Sequence, residues 1–178
     1  MAQMAAGFQA RVLGFDPHVG AEAMRAAGVE RRDDLRTMLA ECDFVSIHCV
    51  LNDATRGLIG RREFECMKPG AILINVSRGA LVDEAELLRA LHDGRLGGAG
   101  LDVYSQEPLA LSGHPLSALF GMDNVILMPH LTFFTREAMR RLEEETLQRC
   151  DELLAGGPVL VKSRDPRLTS QPHGVRFG

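Results

Sequence analysis

Residues 71–86 read AILINVSRGALVDEAE, and this stretch decides the fold. It begins with AILINV, a short and mostly apolar run of the kind that forms a buried strand in a parallel sheet. Asp83, followed three residues later by Glu86, then predicts the start of a helix that ends at Gly94. A buried strand followed by a helix is the repeating unit of a parallel α/β sheet.

The same alternation continues on both sides of this stretch. Further strands are predicted at 11–15, 44–49, 97–104 and 124–128, and further helices at 21–27, from Asp33 or Asp34 to about 42, at 60–67 and from about 135 to 155. Strands separated by helices favour an α/β fold with an open, doubly wound parallel sheet. A closed (β/α)8 barrel needs roughly 200 residues or more, and the chain has 178.

Composition and charge narrow the class of protein. The net charge of −4 leaves no excess of positive charge with which to bind nucleic acid. No apolar run reaches the roughly 18 residues of a membrane-spanning helix. The four cysteines include no CxxC pair, which indicates reduced thiols rather than a zinc site. We therefore expect a cytoplasmic protein with no metal, no membrane partner and no nucleic-acid partner.

Polar side chains stand where the predicted strands end. Because ligands bind beyond the carboxyl ends of the strands in open sheets, these positions form the candidate site. The first strand contributes Asp16, the second His48 and Cys49, and the third Val76, Ser77 and Arg78. The fourth contributes Asp102, with Glu107 in the loop behind it, and the last contributes His130. We expect the other histidines, among them His114, at the surface.

Arg78, Glu107 and His130 have the chemistry of a catalytic set. The guanidinium of Arg78 can bind a carboxylate through two hydrogen bonds, although a surface pair with Asp83 or Glu84 is an alternative. Glu107 can hold the imidazole of His130, favour its charged form and so prepare it to donate a proton. Taken singly, the histidine could instead be structural and the glutamate a solvated loop residue.

Two of the remaining candidates, Asp16 and Asp102, also have two interpretations. Asp16 can accept both ribose hydroxyls of an adenosine, or it is a turn residue before Pro17. Asp102 can accept a carboxamide N–H, or it caps the following turn. We assign His48 a supporting role and interpret Cys49 as a small buried residue.

Several segments, in chain order, resemble the NAD-binding domain of the D-isomer-specific 2-hydroxyacid dehydrogenase family. They are VLGFDPHV at 12–19, DFVSIHCVLNDATRGLIG at 43–60, MKPGAILINVSRGALVDEAELLRAL at 67–91, GAGLDVYSQEPL at 98–109 and NVILMPH at 124–130. The resemblance implies a Rossmann-like domain over residues 1–155 and a tail over 156–178 that would return to a missing substrate domain. It also implies that the first strand and the glycine-rich loop of the domain are missing.

The resemblance assigns a role to each site residue. Arg78 matches the substrate-binding arginine, Glu107 the glutamate that assists the histidine, and His130 the catalytic acid–base. The implied reaction is hydride transfer between NAD and a D-2-hydroxy acid or 2-oxo acid, in a homodimeric enzyme. The candidate cofactor-binding residues are Asp16, which implies NAD over NADP, together with His48, Cys49, Val76, Ser77, Arg78, Asp102 and His130.

The sequence departs from the family pattern at three places. It contains no GxGxxG turn, which in the family holds the pyrophosphate of the cofactor. Val50 stands where a proline is usual, and Phe133 and Phe134 stand where a Gly-Gly pair is common. The two phenylalanines are interpreted either as packing residues or as a wall beside the substrate. The departures leave two alternative functions, an NAD(H)-sensing binding protein of the corepressor type and an inactive fragment.

Overall fold

The computed structural model describes residues 1–156, and its helices and strands alternate as the sequence predicts. Two short 3-10 helices, at Gly79–Leu81 and Ser117–Gly121, lie between them. In chain order the main elements are α1 (Ala2–Ala6), β1 (Leu13–Gly14), α2 (Ala21–Ala26), β2 (Glu30–Arg31), α3 (Leu35–Glu41), β3 (Phe44–Ile47), α4 (Arg61–Cys66), β4 (Ala71–Asn75), α5 (Glu84–His92), β5 (Leu96–Leu101), β6 (Val125–Leu127) and α6 (Arg136–Leu154).

All strand pairs in the described residues are parallel, which confirms the α/β class. The strands form two sheets rather than the one that the sequence predicts. One sheet pairs β1 with β2, and the other has the order β3-β4-β5-β6. Strand β2 is an addition to the prediction, and it pairs Leu13 with Glu30. Because β3 to β6 run in one direction, their carboxyl ends share one edge of the sheet, where the candidate residues lie.

The four-stranded sheet buries one face more deeply than the other. Strand β3 shows the alternation, since Val45 and Ile47 are buried while Phe44 is 65% exposed. Leu73 of β4 belongs to the same core, which also receives apolar side chains of α4 and α5. On the opposite face Ile126 is 70% exposed. The sequence predicts a sheet covered on both faces, and within Met1–Leu131 this second face is largely uncovered.

Side-chain caps fix where the helices begin. Asp34 accepts the backbone N–H of Thr37 at 2.8 Å, so α3 begins after Asp34 and not after Asp33. Asp83 accepts the N–H groups of Ala85 and Glu86 at 3.1 and 3.2 Å, as the sequence predicts. This cap places the start of α5 directly behind the loop that follows β4.

Ion pairs hold β1, β2 and α3 together. The Arg11 side chain contacts Glu30 at 2.7 Å, and Arg32 contacts Glu41 at 2.7 Å. Hydrogen bonds and charge from Arg32, together with Arg11, lower the pKa of Glu41 to about 2. These contacts join the segment before β1 to β2 and α3.

The chain divides into two compact units, Met1–Leu131 and a second unit that begins at Thr132. The described part of the second unit contains α6, which starts at Thr135 with a side-chain cap on the N–H of Ala138. The tail that the sequence predicts at 156–178 lies outside the described residues beyond position 156. Within residues 1–156, no helix combines the length and hydrophobicity that crossing a membrane requires.

Candidate active site

Glu107 and His130 form a hydrogen-bonded pair, as the sequence predicts. The His130 Nδ1 atom lies 2.9 Å from the Glu107 Oε2 atom, and both side chains are more than a third exposed. This hydrogen bond is the main reason why the pKa of Glu107 is lowered, and the Tyr104 N–H and the Arg78 charge add to the effect. An ionised carboxylate only accepts hydrogen bonds, so Nδ1 carries the proton.

The backbone of His130 has an unusual conformation. Its φ is +58°, in the left-handed region that side chains other than glycine and asparagine rarely adopt. The next residue, Leu131, donates its backbone N–H to the Asp102 Oδ1 atom at 2.8 Å. Asp102 is 1% exposed and Leu131 is exposed, so this bond is partly buried. The buried carboxylate therefore holds the chain directly after the histidine.

Arg78 follows β4, and its positive charge makes the smallest contribution to the lowered pKa of Glu107. Asn75 donates to the Arg78 carbonyl at 2.9 Å and shapes this loop. The surface-pair alternative is wrong for the described residues, because Asp83 instead caps α5 and Glu84 accepts the Ser105 N–H at 2.7 Å. The exposed Arg78 guanidinium is therefore not engaged by either carboxylate.

Asp16 follows β1, and Cys49 follows β3. Asp16 is half-buried, and its Oδ1 atom accepts the N–H of His18 at 2.8 Å. Burial raises the pKa of the Cys49 thiol, and the Asp16 carboxylate raises it further. Cys49 also packs against the core, in agreement with its interpretation as a small buried residue.

His48 and Ser77 extend the same edge of the sheet. The His48 Nε2 atom lies 2.8 Å from the Ser46 hydroxyl, and partial desolvation lowers the pKa of His48. Ser77 donates its hydroxyl to the carbonyl of Ile47 at 2.8 Å and so joins the ends of β3 and β4. Val76, directly before Ser77, is half-buried.

Three residues near the site were not predicted from the sequence. Asn75, 1% exposed, accepts the Ser77 N–H in addition to bonding Arg78. Tyr104 donates its backbone N–H to the Glu107 carboxylate and its hydroxyl to the Met128 carbonyl oxygen, so it bonds to the segments that carry both members of the acid–base pair. His114 is 6% exposed rather than at the surface, because backbone groups of Gln106 and Leu116 satisfy both of its ring nitrogens. A buried asparagine inside AILINV was the one available signal, since buried polar side chains require partners.

The parallel α/β fold, with ionisable groups at the carboxyl ends of its strands, is typical of dinucleotide-binding domains. A model of the D-isomer specific 2-hydroxyacid dehydrogenases, NAD binding domain, matches residues 1–132. The chain therefore belongs to this family, and the region matched is its NAD-binding domain.

Individual relatives agree with the family assignment. The chain is 38% identical to D-lactate dehydrogenase kk1H of Curvularia clavata, over 93% of this chain and 50% of that protein. It is 40% identical to a glyoxylate reductase of Thermococcus litoralis, over 97% and 50%. The crystal structure of a D-lactate dehydrogenase with NAD+ from Lactobacillus jensenii superposes with a TM-score of 0.79 at 33% identity, covering 92% of this chain and 51% of that one. The chain thus spans about half the length of the curated relatives it matches.

The residues present fit NAD at two places. The Asp16 carboxylate offers the acceptor oxygens that ribose hydroxyls need. The Arg78, Glu107 and His130 groups follow other strands, at the carboxyl edge where open α/β sheets bind their ligands. The sequence given has no glycine-rich turn for the pyrophosphate. Among the residues that the structure describes, no cluster of three or more acidic, histidine or cysteine side chains could hold a metal ion.

Proposed function

We propose that this chain provides the cofactor domain of an NAD-dependent oxidoreductase that interconverts a 2-oxo acid and a D-2-hydroxy acid. The observation that carries the proposal is the 2.9 Å bond between Glu107 and His130, with the charge of Arg78 beside it. A cation for a carboxylate and a histidine oriented by a glutamate are the groups that reduction of a 2-oxo acid needs.

Each of the three residues has a separate task. Arg78 binds the substrate carboxylate through the two-pronged geometry of its guanidinium. His130 donates a proton to the C2 carbonyl oxygen as negative charge develops there, and Glu107 stabilises the imidazolium that makes this possible. Because Nδ1 is bonded to Glu107, the proton moves from Nε2. The reduced cofactor, NADH, would supply the hydride that C2 accepts, leaving NAD⁺.

The cofactor contacts are also part of this proposal. Asp16 binds the adenosine ribose and repels a 2′-phosphate, which favours NAD over NADP. His48, Cys49, Val76 and Ser77 form the edge along which the cofactor lies, and Asp102, Arg78 and His130 stand near its nicotinamide end.

The proposal also covers the domain organisation, location and oligomeric state of the protein. Residues 1–155 form a partial NAD-binding domain, and 156–178 lead towards a substrate domain. The protein works in the cytoplasm as a homodimer, without nucleic-acid or membrane partners, in keeping with its net charge of −4. Sedimentation analysis at micromolar concentration tests the dimer directly.

The test of the function is His130→Gln in the protein, assayed with NADH and a panel of small 2-oxo acids. The turnover number should fall roughly 10²- to 10⁴-fold, the usual contribution of a positioned acid–base group. NADH binding should change little. His92→Gln is the matched control, because His92 is exposed on α5 and bonds only its neighbour Asp93 among the described residues. Turnover of His130→Gln at the wild-type rate would refute the proposed chemistry.

A second candidate function is an NAD(H)-sensing protein of the corepressor type. The observation that favours it is the edge-to-face pair of Phe133 and Phe134, whose rings lie 6.2 Å apart and are 51% and 62% exposed. An exposed aromatic pair is a suitable contact for a protein partner. Turnover at ordinary enzyme rates with any 2-oxo acid rules this candidate out, whereas NADH binding without turnover supports it.

The third possibility is that the 178-residue polypeptide is inactive by itself. Titration of NADH into the isolated chain tests it, because micromolar binding contradicts an inert fragment.

A further inference from the structure

Tyr104 stands three residues beyond the end of β5 and is 5% exposed. Its ring packs edge-on against the ring of His114, with centroids 6.5 Å apart. Burial raises the pKa of its hydroxyl, so the group keeps its proton and acts as a donor. The side chain is thus a fixed, buried donor next to the catalytic loops.

The Tyr104 hydroxyl reaches the segment that carries His130. It donates to the Met128 carbonyl oxygen at 2.9 Å, while the Leu101 carbonyl oxygen lies 3.2 Å away. Met128 is two residues before His130, and its own N–H donates to Leu101 at 2.8 Å. The hydroxyl therefore fixes the chain on the amino-terminal side of the histidine.

The backbone of Tyr104 holds the partner of His130. Its N–H donates to the Glu107 Oε1 atom at 3.0 Å, and the other carboxylate oxygen, Oε2, bonds the histidine. One residue therefore fixes both members of the pair, the histidine through its hydroxyl and the glutamate through its N–H.

The Tyr104 main chain also lies against the loop of Arg78. A Cβ atom built on Gly79 would stand 2.0 Å from the Tyr104 carbonyl carbon and 2.2 Å from the Ser105 nitrogen. Only glycine allows the two loops to approach this closely. Since Gly79 follows Arg78 directly, the same contact sets the position of the arginine relative to Glu107.

The left-handed backbone of His130 needs restraint, because a non-glycine residue in this region costs free energy. Two partly buried bonds supply it from opposite sides. Asp102 accepts the N–H of Leu131 after the histidine, and Tyr104 donates to the carbonyl of Met128 before it. Both anchors come from the segment that follows β5.

We propose that Tyr104 is a positioning residue, whose hydroxyl holds the His130 turn in the geometry that keeps Nδ1 bonded to Glu107. The inference rests on the proposed function for its effect on turnover, but its effect on the Nδ1 proton does not depend on any activity. Loss of the hydroxyl frees the Met128 carbonyl, so the His130 turn samples conformations in which the imidazole leaves the carboxylate.

Tyr104→Phe tests this, because it removes one oxygen and keeps the buried ring. In the wild-type protein, long-range ¹H–¹⁵N NMR of the ring protons should show a signal for the His130 Nδ1–H nitrogen at the chemical shift of a protonated ring nitrogen, and His130→Gln identifies this signal by its loss. In Tyr104→Phe this signal should broaden or disappear. The turnover number for 2-oxo acid reduction should fall about three- to tenfold, as expected for one neutral hydrogen bond, with the KM for NADH unchanged.

Thr55→Val is the matched control, because the Thr55 hydroxyl also donates to a backbone carbonyl, that of Val50, at 2.7 Å. It should leave the Nδ1–H signal as in the wild type. An unchanged signal in Tyr104→Phe overturns the inference, and so does an equal loss of signal in both variants, which would indicate general loosening. Full turnover in His130→Gln would instead overturn the proposed function and leave the test of Tyr104 by NMR intact.

Discussion

The Nδ1 atom of His130 lies 2.9 Å from the Oε2 atom of Glu107, although 23 residues separate them in the chain. One residue follows β6 and the other lies in the loop behind β5, so the contact exists only because these strands are parallel neighbours. The bond fixes Nδ1 as the ring nitrogen that carries a proton, and in the proposed function Nε2 is the nitrogen that serves the substrate.

The pair predicts a pH-dependent stability. The pKa of Glu107 is lowered in the folded protein, chiefly by His130, from an unfolded value of about 4.3. The stabilisation is therefore complete above the unfolded pKa and is lost as the pH falls through the folded pKa. The difference in unfolding free energy between the wild type and Glu107→Gln should shrink as the pH falls through the folded-state pKa of Glu107.

Urea unfolding at several pH values measures this difference. Glu143→Gln, at an exposed position on α6, removes the same charge elsewhere and corrects for general charge effects. A difference that grows as the pH falls would contradict the assignment.

Arg78→Lys should weaken substrate use selectively. Lysine keeps the charge but loses the planar two-pronged geometry, so kcat/KM for the 2-oxo acid should fall roughly 10- to 100-fold, the equivalent of one hydrogen bond to a charged group. The dissociation constant of NADH, measured by fluorescence titration, should stay within about twofold. Arg61→Lys, on the exposed side of α4 and paired with Glu65, is the control. Equal losses in both variants would argue against a substrate contact of Arg78.

Gly79→Ala should disturb the site through backbone contact. The new methyl would overlap the Tyr104 main chain, so the two loops must move apart. We expect a lower melting temperature and a loss of turnover larger than that of Tyr104→Phe. Gly121→Ala is the control, since a Cβ there meets nothing within 4 Å. If the two alanine variants have the same melting temperature and turnover, the close approach at Gly79 does not affect function.

Asp16→Ser should relax the choice of cofactor. The carboxylate repels a 2′-phosphate, and like charges in contact cost several kcal/mol. The ratio of kcat/KM with NADPH to that with NADH should rise about tenfold or more. Asp123→Ser removes the same charge before β6, at the amino-terminal edge of the sheet, and should leave the ratio unchanged. An unaltered ratio in Asp16→Ser would remove Asp16 from the ribose site.

Much of the fold was predictable because its signals are local. Apolar runs predicted β3, β4 and β6, and Asp83 predicted the start of α5. Strand β2 escaped prediction because Glu30–Arg31 is short and charged and owes its order to pairing with β1 and to Arg11. The division into two sheets was missed because hydrophobic periodicity predicts strands, not which strands pair.

The candidate site was predictable where its arrangement depends on residue type and strand end, as in the bond between Glu107 and His130. It was not predictable where function depends on contacts between distant segments. Asp102 bonds Leu131, 29 residues further on, rather than only a neighbouring turn. Tyr104 has the sequence appearance of a core aromatic, and only the folded chain shows its hydroxyl bonded to Met128. The left-handed backbone of His130 leaves no trace in residue type.

Strand β3 forms an outer edge of the four-stranded sheet, and among the described strands none pairs with its outward backbone groups. The most exposed apolar side chain of β3 is that of Phe44. An open edge with an apolar face invites pairing with a strand from another molecule, which is a common route to aggregation. We therefore expect the solubility of the 178-residue chain to depend on this edge. The substitution Ser46→Lys is the simplest protection against such self-association.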